Sequence, residues 1–418
     1  MDLKRASENL GCSLYASKPY KHIEESPNWD QVIDCGKSEK SRGIVCGGKG
    51  AGKSTFLRFY VNQLLSQGPV LVIDLDPGQC EFTVAGSVSA TIVNEPLLGP
   101  NFTHLKKPEI MLNLGIISAM DNPRRYVNAV DSLINRCLES DELNGMPWIV
   151  NTMGMCNAIG LKFMCFIIQR VQPTFLLQIE LQALKKNFEY RLTSQKVEEL
   201  CVDFRGDRLF SKMPQGGQLS YSYLIAPAET YRTNKNAGSD NHVLAPRDER
   251  YLNFLAYFGE LVNIYKTADL LGITPYVVRM QDLCVATNVK LHSDSVTKVL
   301  NGKVVALCQQ STRPDKAAKV FTLGDKPLLC HGHGLIRGID YEKDEVYIIT
   351  PIPPQDLCLV NIIMYADWVP ELRGQEKNLP EGTVVPYRTT SQYQQRQFMF
   401  TPRRRFNPLQ LLKMSRNS

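Results

Sequence analysis

Gly47-Gly48-Lys49-Gly50-Ala51-Gly52-Lys53-Ser54 is the stretch whose reading decides the fold. It meets the pattern G-x-x-x-x-G-K-[ST] at every fixed position, and Thr55 opens the helical run behind it. Glycines let the backbone curl until several N–H groups converge on one phosphate, and they remove side chains that would block its approach. A lysine at position 53 can reach the terminal phosphates, and a serine hydroxyl at position 54 can coordinate a magnesium ion.

The flanks agree with that reading. Gly43 to Cys46 is a short apolar strand, and Thr55 onward has helical spacing through Phe56, Leu57, Tyr60, Val61, Leu64 and Leu65. A helix N-terminus behind the loop adds positive dipole to the site. Gly68-Pro69 ends the helix, and Val70 to Ile73 reads as a strand buried on both faces of a parallel sheet. Strand, loop, helix and strand make one βαβ unit. The second strand runs into Asp74-Leu75-Asp76-Pro77-Gly78-Gln79. Ligands of open parallel sheets sit beyond the carboxyl ends of the strands, so both aspartates are expected near the loop. Asp76 stands nearer to it and can bind magnesium or accept a proton from an attacking hydroxyl. Gln79 is either a turn residue or one that orients a water or a substrate.

Alternation of strand and helix continues. A helix is expected over Tyr126 to Leu138, with Arg124 and Arg125 before it as surface residues. Trp148 to Val150 is a strand ending in Asn151-Thr152-Met153-Gly154-Met155, and Gly160 to Val171 and Phe175 to Ile179 supply another helix and strand. This regularity predicts an α/β fold with a doubly wound parallel sheet. Residues 229–245 read as a polar loop before Arg247-Asp248-Glu249-Arg250. A helix comes next, with Tyr251, Leu255, Phe258 and Val262 on its apolar face. Arg247 and Arg250 share one side of its first turn, either as a salt-bridged surface pair or as a lid that closes over a triphosphate. From about residue 270 the texture becomes β-rich. A hairpin with an Asn301-Gly302 turn is expected, then strands over Val346 to Thr350 and Cys358 to Met364. Cys330, His331 and His333 lack the partner pair a zinc site needs, which favours a structural role in a turn. The lead-in 1–40 is polar, with a short strand expected near Val32 and Ile33.

Composition bounds the alternatives. A chain of 418 residues suits two or three domains, and its hydrophobic share of 43% is that of a globular protein. Its 12 cysteines include no C-x-x-C pair, Met1 to Leu14 lacks a signal-peptide core, and no apolar run approaches a membrane span. Reduced thiols and no membrane association are the expectation. Net charge is +6, but Arg388, Arg396, Arg403, Arg404, Arg405, Lys413 and Arg416 lie beyond the last acidic residue, Glu381, so the rest nets −1. Such a tail suits a polyanion, an import receptor or simple solvation.

Taken in order, Gly47 to Thr55, Asp74 to Gln79 with Glu81-Phe82-Thr83, Asn94 to Pro100, Asn151 to Gly154 and the Arg247/Arg250 pair resemble the polynucleotide 5′-hydroxyl kinases. The resemblance is strongest to the nucleolar branch that acts in pre-ribosomal RNA processing. It implies a P-loop NTPase-type kinase domain over 41–268 with a lid near 229–250, a smaller β-rich C-terminal domain over 269–381 and a basic tail over 382–418. It implies ATP and Mg²⁺ as cofactors. Gly47, Gly48, Lys49, Gly50, Ala51, Gly52, Lys53, Ser54 and Thr55 would hold the nucleotide, with Ser54 and Asp76 at the metal. Asp76 would activate the 5′-hydroxyl, and Lys53, Arg247 and Arg250 would stabilise the transferring phosphoryl group. Gln79, Thr152, Gly154 and Met155 would clasp the RNA end. The family's clasp carries an aromatic residue where Met155 stands, and its members carry a domain ahead of the loop for which residues 1–46 are too few. The resemblance also implies a nucleolar location and an endoribonuclease partner that leaves 5′-hydroxyl ends. A nucleotide-binding scaffold without transfer activity is the alternative. A GTPase is disfavoured because Asn234-Lys235-Asn236-Ala237 lacks the aspartate of a guanine-reading motif.

Overall fold

The computed structural model describes residues 28–372 apart from 39, 205, 211–217, 229–243, 266–269, 291–292, 311–319, 341 and 371. The start of the lead-in, most of the polar loop before Arg247 and the basic tail lie outside the described residues.

Among the described residues, seven strands build the first part: β1 (Arg42–Gly47), β2 (Val70–Asp74), β3 (Ser87–Val93), β4 (Ile110–Asn113), β5 (Trp148–Asn151), β6 (Phe175–Glu180) and β7 (Ser222–Pro227). Their order is β4-β3-β2-β5-β1-β6-β7. From β2 to β7 all neighbours are parallel, whereas β3 and β4 run antiparallel to their neighbours. The central strands are apolar at consecutive positions because both faces are covered. Ile44, Leu71 and Ile73 face the core beneath helices Pro123–Glu139 and Ala158–Val171. Val45, Val70 and Val72 face the other core, beneath helices Trp29–Gly36 and Lys53–Leu64. Each fully buried Val, Leu or Ile contributes about 1.5–3 kcal/mol, so two such faces hold the central strands firmly. The doubly wound α/β reading is borne out.

Among the same residues, seven further strands complete the sheet: β8 (Tyr276–Arg279), β9 (Cys284–Thr287), β10 (Val304–Gln309), β11 (Val320–Thr322), β12 (Leu328–Asp340), β13 (Glu345–Ile349) and β14 (Ile362–Tyr365). This β-rich part is joined edge to edge with the first, because Leu328 and Leu329 of β12 pair with Asn113 and Leu112 of β4. One continuous sheet therefore runs from the phosphate-loop side to the C-terminal strands. Among the described residues no helix is long and apolar enough to cross a membrane.

Several local expectations are corrected. Val32 and Ile33 lie in a helix, since Trp29, Val32, Ile33 and Gly36 recur at helical spacing and are buried together. Asn301-Gly302 turns the chain from helix Ser293–Leu300 into β10, not between two strands of a hairpin. Gly302 takes a positive φ of 73°, which that turn needs, while Val296 and Leu300 give the preceding segment its buried helical face. Residues 358–361 precede β14 instead of opening it. In helix Pro246–Tyr265 the inward side chains include Asn253, Phe254, Phe258 and Leu261, and Leu255 is exposed. Cys330, His331 and His333 lie on β12, where the buried His333 stacks edge-on against Phe254 and Tyr257. No metal-binding group of these residue types occurs among the described residues.

Arg125 is a larger correction. It is 4% exposed, and its guanidinium donates to the carbonyls of Leu114, Gly324 and Leu323. It ties the first helix after β4 to the loop ahead of β12, so its charge is spent inside the protein. Arg124, its neighbour, is exposed. Replacing Arg125 with Met should lower stability by about 3 kcal/mol, because the buried carbonyls of Leu114 and Leu323 and the partly buried one of Gly324 lose their donor, whereas Arg124→Ala should stay within about 0.5 kcal/mol. Urea unfolding of the two variants measures the difference.

Candidate active site

The loop between β1 and helix Lys53–Leu64 owes its shape to its glycines. Gly47, Gly50 and Gly52 have φ of 146°, 80° and 93°, a region that side chains disfavour. At Gly48 the limit is contact, since a Cβ there would lie 2.2 Å from the Lys186 carbonyl oxygen. At Gly50 and Gly52 an added Cβ would meet nothing within 4 Å, so the loop has open space around these two glycines. Lys53 Nζ donates to the carbonyls of Gly47 and Gly48 at 3.1 and 3.3 Å, which holds the cation in the mouth of the loop. Burial pulls the Lys53 pKa down, and Asp76 opposes that shift. Ser54 and Thr55 lie in the first helical turn, partly exposed, and Ala51 is buried.

Asp76 is held beside this loop by hydrogen bonds at several levels. Asp74, at the end of β2, is 1% exposed. Its Oδ1 accepts from the Asp76 N–H at 3.2 Å and from Asn151 Nδ2 at 3.0 Å, and its Oδ2 accepts from the Glu81 N–H at 2.7 Å. Burial pushes the Asp74 carboxyl up to about 7, against the Glu81 N–H that favours its charge. Asp74 is thus the organiser of the turn. Asp76 Oδ1 accepts from the N–H groups of Gly78 and Gln79 at 2.9 and 3.3 Å. Its pKa is raised by desolvation, and Lys53, those two N–H groups and Lys49 pull it back. A partly shielded carboxylate beside two lysines results, with one oxygen committed to the turn.

The turn after β5 closes the third side. Gly154 lies against the phosphate loop, where an added Cβ would come within 2.7 Å of Lys49 Cα. The structure therefore brings Gly154 into the site. Thr152 behaves differently from the expectation of direct substrate contact: it is 0% exposed, and its hydroxyl donates to the Val45 carbonyl at 2.9 Å. Its side chain braces β5 against β1. Met155 is partly exposed and packs against the apolar core under helix Ala158–Val171.

Helix Pro246–Tyr265 forms the fourth side. Arg247 is exposed in its first turn, and Arg250 is partly buried with its Nη1 3.5 Å from the Gly78 carbonyl oxygen. Desolvation lowers the Arg250 pKa, while Glu249 and Asp76 oppose it and Arg247 adds to it. Arg250 thus lies within the electrostatic reach of Asp76. Sequence reasoning passed over what anchors this helix: Glu249 accepts from Gln79 Nε2 at 2.6 Å, and Asn253 Nδ2 donates to the Cys80 carbonyl at 3.4 Å. It named Glu81 within the resembling run but gave it no role: its buried carboxylate takes Arg58 Nε at 2.5 Å, Arg58 Nη2 at 3.1 Å and His104 Nε2 at 2.9 Å. Burial would raise the Glu81 pKa, but His104 and Arg58 hold it below its ordinary value. Glu81 stands two residues after Gln79, so proximity to Asp76 was the available signal.

Residues 47–204 match the family described as mRNA cleavage and polyadenylation factor CLP1 P-loop, and residues 271–369 match the NOL9-like C-terminal domain. The chain is 28% identical over 376 residues to a protein of Drosophila melanogaster named polynucleotide 5′-hydroxyl-kinase NOL9, covering 89% of this chain and 35% of that one. A Homo sapiens protein of the same name is 30% identical over 390 residues, covering 83% of this chain and 52% of that one. One from Arabidopsis thaliana is 28% identical over 360 residues, covering 82% and 89%. The chain spans about half or less of the length of the first curated relatives it matches.

A methyl group at position 154 would collide with backbone and not with a yielding side chain. Gly154→Ala should therefore displace Lys49 and weaken ATP binding by about tenfold, with an unchanged circular dichroism spectrum. Isothermal titration of both proteins with ATP reads the effect.

Proposed function

We infer from a chain that belongs to the polynucleotide 5′-hydroxyl-kinase family of the NOL9 type that it transfers the γ-phosphoryl group of ATP to the 5′-hydroxyl end of RNA. The observation that carries the reading is the placement of Asp76. One desolvated carboxylate shares a rim with an open phosphate cradle and feels Lys53, Lys49 and Arg250 at once.

The residues fit the groups the reaction requires. The open space around Gly50 and Gly52, ahead of the N-terminus of helix Lys53–Leu64, fits the ATP phosphates. Ser54 and the second oxygen of Asp76 are hard oxygen donors, and Asp74 is excluded because both its oxygens take N–H groups. So sparse a set suits Mg²⁺, which keeps water and phosphate oxygens around it. Bound there, Mg²⁺ would supply charge neutralisation at the phosphates. Asp76 accepts the proton of the attacking hydroxyl and orients it in line with the γ-phosphorus. Lys53 and Arg250 lie where negative charge spreads in a loose transition state, and Arg247 can add to them from the exposed turn. Gly154 sets the clasp against the loop, and Met155 offers an apolar edge beside it.

The substrate class, the role in ribosomal RNA processing, a nucleolar location and an endoribonuclease partner that leaves 5′-hydroxyl ends are parts of the same proposal. The relatives' name supports a polynucleotide 5′-hydroxyl end as the acceptor, and RNA rather than DNA is part of the proposal. The seven arginines and lysines after Glu381 are compatible with RNA, with a ribonucleoprotein partner and with nuclear import. Co-purification of a ribonuclease and of pre-ribosomal RNA with the tagged full chain tests the partner, and its absence would overturn that part.

Catalysis should respond to pH with a defined sign. The base works ionised, so kcat/KM should fall as pH drops through its pKa and level off above it; desolvation raises that pKa above its ordinary value, and Mg²⁺ bound beside it would lower it. Asp76→Asn should lower kcat by about 10²–10⁴-fold and abolish that acid limb, and Lys53→Ala should cost about 10²-fold or more. A pH–rate profile with a 5′-hydroxyl oligonucleotide checks both. Full activity in Asp76→Asn would remove it from the role of base.

A further inference from the structure

We propose that Glu249 is a positioning residue for acceptor recognition, fixing the Gln79 side chain so that its amide oxygen is presented to the 5′-terminal nucleotide. The inference rests on the kinase reading and deepens it. Gln79 and Glu249 come from distant parts of the chain and meet at 2.6 Å, Nε2 to Oε2. A carboxylate only accepts hydrogen bonds, so the amide facing it must present its NH₂ group. The orientation of an amide is otherwise free to flip; here the partner's chemistry decides it. The amide oxygen then points away from Glu249.

Residue 79 adjoins the carboxylate that an acceptor strand must reach. The Gln79 N–H binds Asp76 Oδ1, so the side chain stems from the residue that cradles the base. Gln79 is partly exposed, as is Glu249. The helix bearing Glu249 is seated on the same turn at two more points, through Asn253 to the Cys80 carbonyl and Arg250 toward the Gly78 carbonyl. These contacts keep Glu249 from drifting. An amide oxygen turned away from Glu249 can accept from a ribose hydroxyl or a base N–H of the terminal nucleotide, and it carries no charge that would repel the backbone phosphates. The segment from Asp76 to Cys80 thus carries two functions: Asp76 for the proton, Gln79 for the end of the strand.

A residue swap distinguishes this role from mere structural support. Glu249→Gln leaves two amides face to face with no fixed orientation, and Gln79→Glu sets two carboxylates against each other. Each should raise the KM for a 5′-hydroxyl RNA by about tenfold and leave the KM for ATP within about twofold. The double variant Gln79→Glu/Glu249→Gln restores one donor facing one carboxylate and an outward oxygen, now a charged one, so the acceptor KM should recover only part of the way, to about half or less of the product of the two single effects, with the remainder relieved by added salt. An effect acting through Arg250 would persist in the double variant, which still lacks the carboxylate at 249. The proposal is overturned if Glu249→Gln leaves the acceptor KM unchanged, if it raises the ATP KM equally, or if the double variant is no better than the sum of the singles. Fluorescence anisotropy of a labelled 5′-hydroxyl RNA with the ADP-bound protein should give the same ranking without turnover. No transfer by the wild-type chain would overturn the kinase reading itself, whereas transfer without rescue would overturn only the role of Glu249.

Discussion

The arrangement hangs on a buried carboxylate. Asp74 closes β2 and spends both oxygens on three donors: the Asp76 N–H, the Glu81 N–H and the Asn151 amide. A buried acceptor that satisfies several N–H groups is costly to lose, because each donor is then orphaned. Through these bonds Asp74 fixes the Asp76 turn, the start of the Glu81 segment and the end of β5 in one frame. The Leu75 N–H bonds to the Asn151 carbonyl at 3.0 Å and the Leu75 carbonyl accepts from Tyr126 Oη at 2.9 Å, so the turn is held from the helix side as well. Asp76 inherits its position from this frame. Its raised pKa comes from the same burial, tempered by Lys53.

The frame reaches beyond the rim. Glu81 gathers Arg58 from the helix behind the phosphate loop and His104 from the segment between β3 and β4. Arg125 and the pairing of β4 with β12 carry the connection into the C-terminal strands. Trp368 Nε1 adds a bond to the Gly115 carbonyl at 3.0 Å. The β-rich part is consequently fastened to the layer that supports the turn. That is a physical reason for the two parts to occur together in one chain.

The sequence made the centre legible and blurred the margins. The loop, both flanking strands and the Asp74–Gln79 run were readable because parallel strands buried on both faces are uninterrupted apolar runs, and glycine spacing is sharp. Strand β3 escaped notice because Ser87, Ser89 and Thr91 look like a polar stretch, yet all three are buried. An Asn-Gly pair marks a tight reversal but does not say whether a helix or a strand leads into it. Arg125 looked like surface charge, since no local pattern reveals carbonyls brought in from Leu114, Leu323 and Gly324. Thr152 sat at the expected strand end, but which way its hydroxyl turns depends on Val45 of a strand distant in sequence. The bond between Gln79 and Glu249 is invisible for the same reason: it joins segments 170 residues apart.

The central claim is that one rim holds both an ATP cradle and a base for the end of a nucleic-acid strand. The most direct measurement incubates the purified chain with γ-labelled ATP, Mg²⁺ and paired RNA oligonucleotides that differ only in a 5′-hydroxyl or a 5′-phosphate. Label should appear on the 5′-hydroxyl strand and not on its phosphorylated twin. ATP bound tightly with no label on either strand would contradict the account and leave a nucleotide-holding scaffold in its place.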